Sequence, residues 1–148
     1  GSVAVESALR AVQGQVVAVE KKDDAVALLY ENKQRFAADN LEIIKGEAPE
    51  ALKELPVPTH AFIGGSSGNL KEIVALLLEK NRDVRIVINC ITLETISEAR
   101  EVLKKYDFAD QEAVQLTASR SKEIGRYHLM MGENPIYIIT CQSPRAWI

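Results

Sequence analysis

Short runs of β-branched and aliphatic residues alternate along the chain with longer stretches whose apolar residues return every three or four positions. This is the pattern of an α/β fold with a largely parallel sheet. Residues 3–12 place Val5, Ala8, Leu9 and Val12 on one helical stripe, and Gly14 is expected to stop that helix as a C-terminal cap. Residues 15–20 (QVVAVE) form a nearly continuous apolar run closed by an acid, which predicts a parallel strand buried on both faces with Glu20 at the sheet's carboxyl edge. A helix capped by Asp23 or Asp24 is expected to turn Val26, Leu29, Tyr30 and Phe36 inward and to end near residues 38–40. Residues 41–45 predict a second strand. Pro49 then suits the first position of a short helix, which Pro56 and Pro58 close.

Residues 60–63 predict a third strand, broken by the cluster Gly64, Gly65, Ser66, Ser67, Gly68. Asn69 begins a helix carrying Leu70, Ile73, Val74, Leu77 and Leu78 on one face, with Asn69 and Glu72 spaced as a capping box. Residues 84–89 (VRIVIN) predict a fourth strand. Thr92 then caps a helix over 93–106, buried through Leu93, Ile96, Ala99 and Leu103, with Lys104 and Lys105 favourably placed in its last turn. The alternation ends there: residues 113–118 and 136–140 both read as strands with no helix between them, so they are expected to pair antiparallel across the connection 119–135. No repeat, linker or low-complexity tract interrupts the pattern, and residues 1–148 are expected to form a single domain.

Composition narrows the class. The 148 residues are 47% hydrophobic and 26% charged, enough for a core without disulfide or metal staples. With 18 Lys and Arg against 21 Asp and Glu, the net charge of -3 lacks the broad basic field that holds a phosphate backbone, and no nucleic acid partner is expected. Cys90 and Cys141 sit in apolar surroundings without metal-ligand spacing, which predicts two reduced, buried thiols; a disulfide or a nucleophile is the alternative. His60 is read as structural, and no metal site is expected. No run reaches the length of a membrane span and the start does not resemble a signal peptide, so the protein is expected in the cytoplasm, without a membrane partner.

In an open parallel sheet, ligands bind outside the carboxyl ends of the strands. The residues at those ends are Glu20, then 46–48, then 64–68, then 89–92. An acid at a strand end suits vicinal ribose hydroxyls, because a carboxylate can accept both hydrogen bonds; Glu20 is either that acid or a solvated strand terminus. Glu47 is either a second ligand contact or a charge favoured by the helix dipole. The glycine cluster could admit a ligand or form a simple turn. The absence of a following lysine removes kinase and NTPase readings. Arg120, Lys122, Arg126 and His128 concentrate positive charge in the connection 119–135. They form either a receptor for an acidic ligand or a solvated loop, while Trp147 is read as a tail anchor or interface residue.

Taken with these motifs, the sequence resembles the class I S-adenosylmethionine-dependent methyltransferases, and within them the decarboxylating precorrin-6Y (cobalt-precorrin-6B) C15-methyltransferases of cobalamin biosynthesis. The likeness spans nearly the whole chain and is carried by residues 1–6 (GSVAVE), 17–20 (VAVE), 46–52 (GEAPEAL), 62–65 (FIGG), 89–94 (NCITLE) and 134–139 (NPIYII). It implies a Rossmann-like α/β fold, mostly parallel, with a C-terminal antiparallel hairpin. It also implies a site for S-adenosyl-L-methionine formed by Gly1, Glu20, Lys21, Glu47, Ala48, Gly64 and Gly65. In it Glu20 binds the ribose, Glu47 and Ala48 border the adenine, and Gly64 and Gly65 lie beside the methionine moiety.

The family begins with a strand and an acid-x-Gly-x-Gly-x-Gly turn, of which Gly1 alone stands here. The chain is therefore expected to be an N-terminally truncated methyltransferase domain, the first strand belonging between those at Val16 and His60. The implied chemistry is methylation of a reduced tetrapyrrole (precorrin) with decarboxylation of an acetate side chain. Arg120, Arg126 and His128 are then candidates to receive the substrate's carboxylates, no metal takes part, and a homo-oligomer, a tetramer among the options, is expected. Two alternatives stand beside it: a class I methyltransferase for another small molecule or for tRNA, and a degenerate module without catalysis.

Overall fold

The computed structural model describes residues 1–66 and 68–146. The predictions for Ser67 and Trp147 lie outside the described residues. The chain divides into two compact units, Gly1–Leu55 and a second beginning at Pro56.

The first unit holds α1 (Ser2–Arg10), β1 (Val16–Glu20), α2 (Asp23–Arg35), β2 (Leu41–Lys45) and a 3-10 turn at Glu50–Leu52. β1 and β2 pair in parallel, from Val16 opposite Leu41 to Glu20 opposite Lys45. Val5 and Ala8 of α1 bury against Ala38 and Leu41, with Val16, Ala18 and Ile43 packed beside them. Of the expected stripe only Val5 and Ala8 are buried; Leu9 is exposed, and Val12 lies past the end of α1 and is exposed too. Four further expectations need correction. α1 ends at Ala11, and Gly14 instead closes a further turn by donating to Ala11 O at 2.9 Å. β1 is half-buried at every position rather than buried on both faces, since it pairs with a single strand among the described residues. The cap of α2 is Lys22, with Asp23 and Asp24 in the first turn, where they complement the helix dipole. Of the side chains assigned inward on α2, Leu29 is buried, while Tyr30 sits a further 100° round the helix and Phe36 lies past its end; both are exposed.

The second unit holds β3 (His60–Ile63), α3 (Leu70–Lys80), β4 (Arg85–Cys90), α4 (Leu93–Tyr106), β5 (Phe108–Leu116), β6 (Ser119–Ile124), β7 (Tyr127–Gly132) and β8 (Ile136–Pro144). Its main sheet has the order β3-β4-β8-β5, with β3 and β4 parallel and β8 antiparallel to both neighbours. Ile86, Ile88 and Cys90 alternate with half-buried residues along β4 and are buried together with Ile139 and Cys141 of β8. The amphipathic face of α3 buries Leu70, Ile73, Val74, Leu77 and Leu78 as its period predicts. The α4 stripe is rotated from the expected one, with Ala99, Val102 and Tyr106 buried and Leu93 80% exposed. Thr92 caps α4 by accepting from Thr95 N–H at 3.1 Å, whereas Asn69 makes no side-chain cap bond, so the predicted capping box is not formed.

The expected pairing of the last two strands is present, from Leu116 opposite Ile136 to Phe108 opposite Pro144. The connection between them is not a loop. β6 and β7 form their own antiparallel hairpin, turning at Gly125 and Arg126, with Gly125 at φ 62° as two-residue turns favour.

Candidate functional site

In the first unit the carboxyl ends of both strands carry the predicted groups. Beyond β1 the chain folds back on Glu20: the amides of Lys21 and Lys22 both donate to Oε1, at 2.9 and 3.1 Å. Two backbone donors on one oxygen fix the carboxylate's direction and leave Oε2 without a hydrogen bond among the described residues. Gly46 N–H donates to Glu20 O at 3.0 Å, so the chain leaves β2 alongside the end of β1. This close turn needs glycine, because a Cβ at Gly46 would stand 2.9 Å from the Ala51 Cβ. Glu47 follows, its Oε1 3.5 Å from Lys21 Nζ, and Ala48 is half-buried next in the chain. Glu20, Lys21, Glu47 and Ala48 are thus gathered by the strand register.

Gly1 is the N-cap of α1. Asn40, just before β2, donates its side-chain amide to Ala8 O, Ala11 O and Gly14 O at 2.9, 2.9 and 3.0 Å, tying the end of α1 to the amino edge of the sheet. α1 therefore runs back toward the carboxyl edge. At its start, Gly1 lies against α2, where a Cβ would meet Leu29 Cδ2 at 3.2 Å and Asn32 Nδ2 at 3.7 Å. Sequence reasoning missed Asn40, whose signal was an amide side chain immediately before a strand.

In the second unit Gly64 and Gly65 follow β3. A Cβ on Gly64 would press on the Phe62 ring at 3.1 Å, whereas one on Gly65 would meet nothing within 4 Å. The pair leaves backbone open beside the strand end. Ser66 is buried and its carbonyl accepts from Asn69 N–H at 2.8 Å, and Gly68 has φ 84°. Ile63 is the partner of Ile88, which sets Gly64 level with Asn89 near the end of β4. The Oδ1 of Asn89 is buried and has no hydrogen-bond partner among the described residues. It was missed as a site residue; its signal was an amide closing the apolar run VRIVIN.

Arg120, Arg126 and His128 all lie on the β6–β7 hairpin, but the register separates them. Arg120 shares a face with Lys122, Ile124, Tyr127, Leu129 and Met131, while His128 faces the other way with Ser121, Glu123 and Met130. Arg126 occupies the turn. Arg120 Nε is 2.6 Å from Glu133 Oε1. His60 is exposed and its Nδ1 is 3.0 Å from Thr59 Oγ1. Both cysteines are free and buried; burial raises the Cys90 thiol and pushes Cys141 up to about 12, so neither offers a thiolate. Among the described residues, no helix is long and apolar enough to cross a membrane.

In the first unit Glu20 offers a carboxylate oxygen without a donor among the described residues and Ala48 an apolar wall, which suit a nucleoside. In the second unit Gly65 offers open backbone and Asn89 an acceptor unmatched among the described residues, which suit a charged amino group.

Comparison with known proteins identifies the relatives. A family model described as a precorrin methyltransferase domain matches residues 1–142. A protein of Pyrobaculum calidifontis is 37% identical over 145 residues, 97% of this chain and 74% of its own length; its name is cobalt-precorrin-6B C(15)-methyltransferase (decarboxylating), prefixed "Probable". A protein of Salmonella typhimurium carries the same name without the prefix and is 34% identical over 144 residues, with the same coverage of both chains. The crystal structure of precorrin-6y C5,15-methyltransferase from Geobacter metallireducens superposes with a TM-score of 0.86 at 31% identity, covering 95% of this chain and 75% of that one. The fold is accordingly Rossmann-like, of the class I methyltransferase kind.

Proposed function

The chain belongs to the precorrin methyltransferase domain family, and from that premise we propose that it methylates C15 of a precorrin with S-adenosyl-L-methionine, removing an acetate carboxylate as carbon dioxide, as the relatives' names describe. Residues 1–148 then act as one methyltransferase domain of a cytoplasmic enzyme. The observation that carries this reading is the Glu20 carboxylate, held through Oε1 by the Lys21 and Lys22 amides with Oε2 left to accept ribose hydroxyls.

When bound, the sulfonium supplies an electrophilic methyl group. The chain's own residues position and shield. Glu20 fixes the ribose, Lys21 steadies Glu47 through their ion pair, and Glu47 and Ala48 border the adenine. Gly1, the N-cap of α1, belongs to the same proposed cofactor site, and Gly64 with Gly65 lets the methionine moiety approach backbone without a side chain in the way. The substrate carbon contributes the electron pair of the new bond, and the pair from the broken carbon–carboxylate bond passes into the macrocycle. No acid, base or nucleophile of the chain is required for either step, consistent with two thiols silenced by burial.

Arg126, at the hairpin turn, is the best placed of the three candidate cations to meet a carboxylate of the substrate; Arg120 meets one from the apolar face and His128 from the opposite face. A homo-oligomer belongs to the same reading. An isolated two-stranded hairpin is marginal in water, and this one exposes Ile124, Tyr127, Leu129 and Met131 on one face, so a second copy is its natural cover. The test is incubation with methyl-labelled S-adenosylmethionine and a precorrin-6 substrate. A product that gains the labelled methyl and loses carbon dioxide by mass spectrometry supports the proposal. Methylation of an unrelated acceptor, or none, contradicts it.

A further inference from the structure

We propose that Asn89 is a ligand-binding residue whose side-chain carbonyl accepts a hydrogen bond from an N–H of the molecule held at the carboxyl edge of the second unit. The inference rests on the methyl-transfer reading and deepens it. Oδ1 is removed from water yet has no donor among the described residues. A buried carbonyl left unmatched costs stability, and buried polar groups are otherwise almost always paired.

The surroundings make the cost harder to explain structurally. Asn89 shares its sheet face with Phe62 of β3, Val87 of β4 and its partner Ile138 of β8, an apolar setting in which a β-branched residue would suit the strand better. Position supplies the reason. Asn89 stands level with Gly64, one strand away from the open backbone of Gly64 and Gly65. A donor entering there finds an acceptor already stripped of water, so the bond forms without the desolvation that weakens exposed ones. Retention of an unfavourable group beside an open strand end is the trade expected of a binding residue.

Two N–H sources share this chemistry: the α-ammonium of the methionine moiety and an N–H of the tetrapyrrole. Asn89→Val and Asn89→Ala distinguish them, with S-adenosylhomocysteine, methylthioadenosine (the same nucleoside without the amino acid) and a precorrin as probes. In the ligand-free protein, Asn89→Val is expected to raise the melting temperature, because it removes the unmatched oxygen. If the ammonium is the donor, both variants bind S-adenosylhomocysteine roughly tenfold or more weakly while methylthioadenosine is unaffected. If the tetrapyrrole is the donor, both nucleosides bind as before and the precorrin KM rises by a similar factor. Either result supports the proposal. It is overturned if both variants melt lower than the parent with all ligand constants unchanged, which makes Asn89 structural, or if neither stability nor binding changes. A parent protein that binds neither nucleoside refutes the methyl-transfer reading itself, and the inference with it.

Discussion

The Lys21 ammonium stands 3.5 Å from the Glu47 carboxylate, linking the segments that leave β1 and β2 at the sheet's carboxyl edge. Both side chains are about half exposed, so the pair contributes at most about 1 kcal/mol to stability. In the proposed cofactor site the pair's role is to hold Glu47 toward the ligand. Glu47→Gln is expected to shift the melting temperature by no more than a few degrees while weakening S-adenosylhomocysteine severalfold in calorimetry. A large loss of stability with unchanged affinity would assign Glu47 to the fold instead.

Asn40 has the opposite balance. Its amide serves three carbonyls at the junction of α1 and β2, and its removal strands acceptors at a helix end. Asn40→Ala should cost on the order of 1–3 kcal/mol in denaturant unfolding. Because the same anchor sets where Gly1 lies, cofactor affinity should fall as well.

The hairpin separates two effects that its sequence mixes. Leu129→Asp with Met131→Asp places charge on the apolar face and should lower the mass seen by analytical ultracentrifugation. Arg126→Glu, at the turn, should leave the mass unchanged and raise the precorrin KM. An unchanged KM removes Arg126 from the substrate site.

Cys141, pushed up to about 12 by burial, and Cys90, raised by the same cause, should resist iodoacetamide at pH 8 in the native protein and react once it is unfolded. The sign for stability follows. A thiol raised on folding contributes nothing adverse below its unfolded pKa near 8.5, and costs stability as pH climbs from there toward 12, since the unfolded chain releases the proton first.

How far the sequence reached depended on whether a residue's signal was local. Periodicity located α3 and α4, because burial on one helical face recurs every third or fourth position, while short apolar runs located the strands at Glu20, Ile63 and Ile139. The strand-end groups Glu20, Glu47 and Gly64 followed from the same boundaries. The β6–β7 hairpin escaped because neither strand is buried, and without an inward face no alternation of apolar and polar positions is enforced. Asn40 and Asn89 escaped for a related reason. An asparagine's role depends on which atoms lie across from it, and those come from distant parts of the chain.

The ribose contact is the point on which the account turns, and calorimetric titration of Glu20→Ala with S-adenosylhomocysteine addresses it most directly. With a melting curve confirming that the variant is folded, the account predicts at least a tenfold weaker Kd than the parent. An unchanged Kd in the folded variant would contradict it.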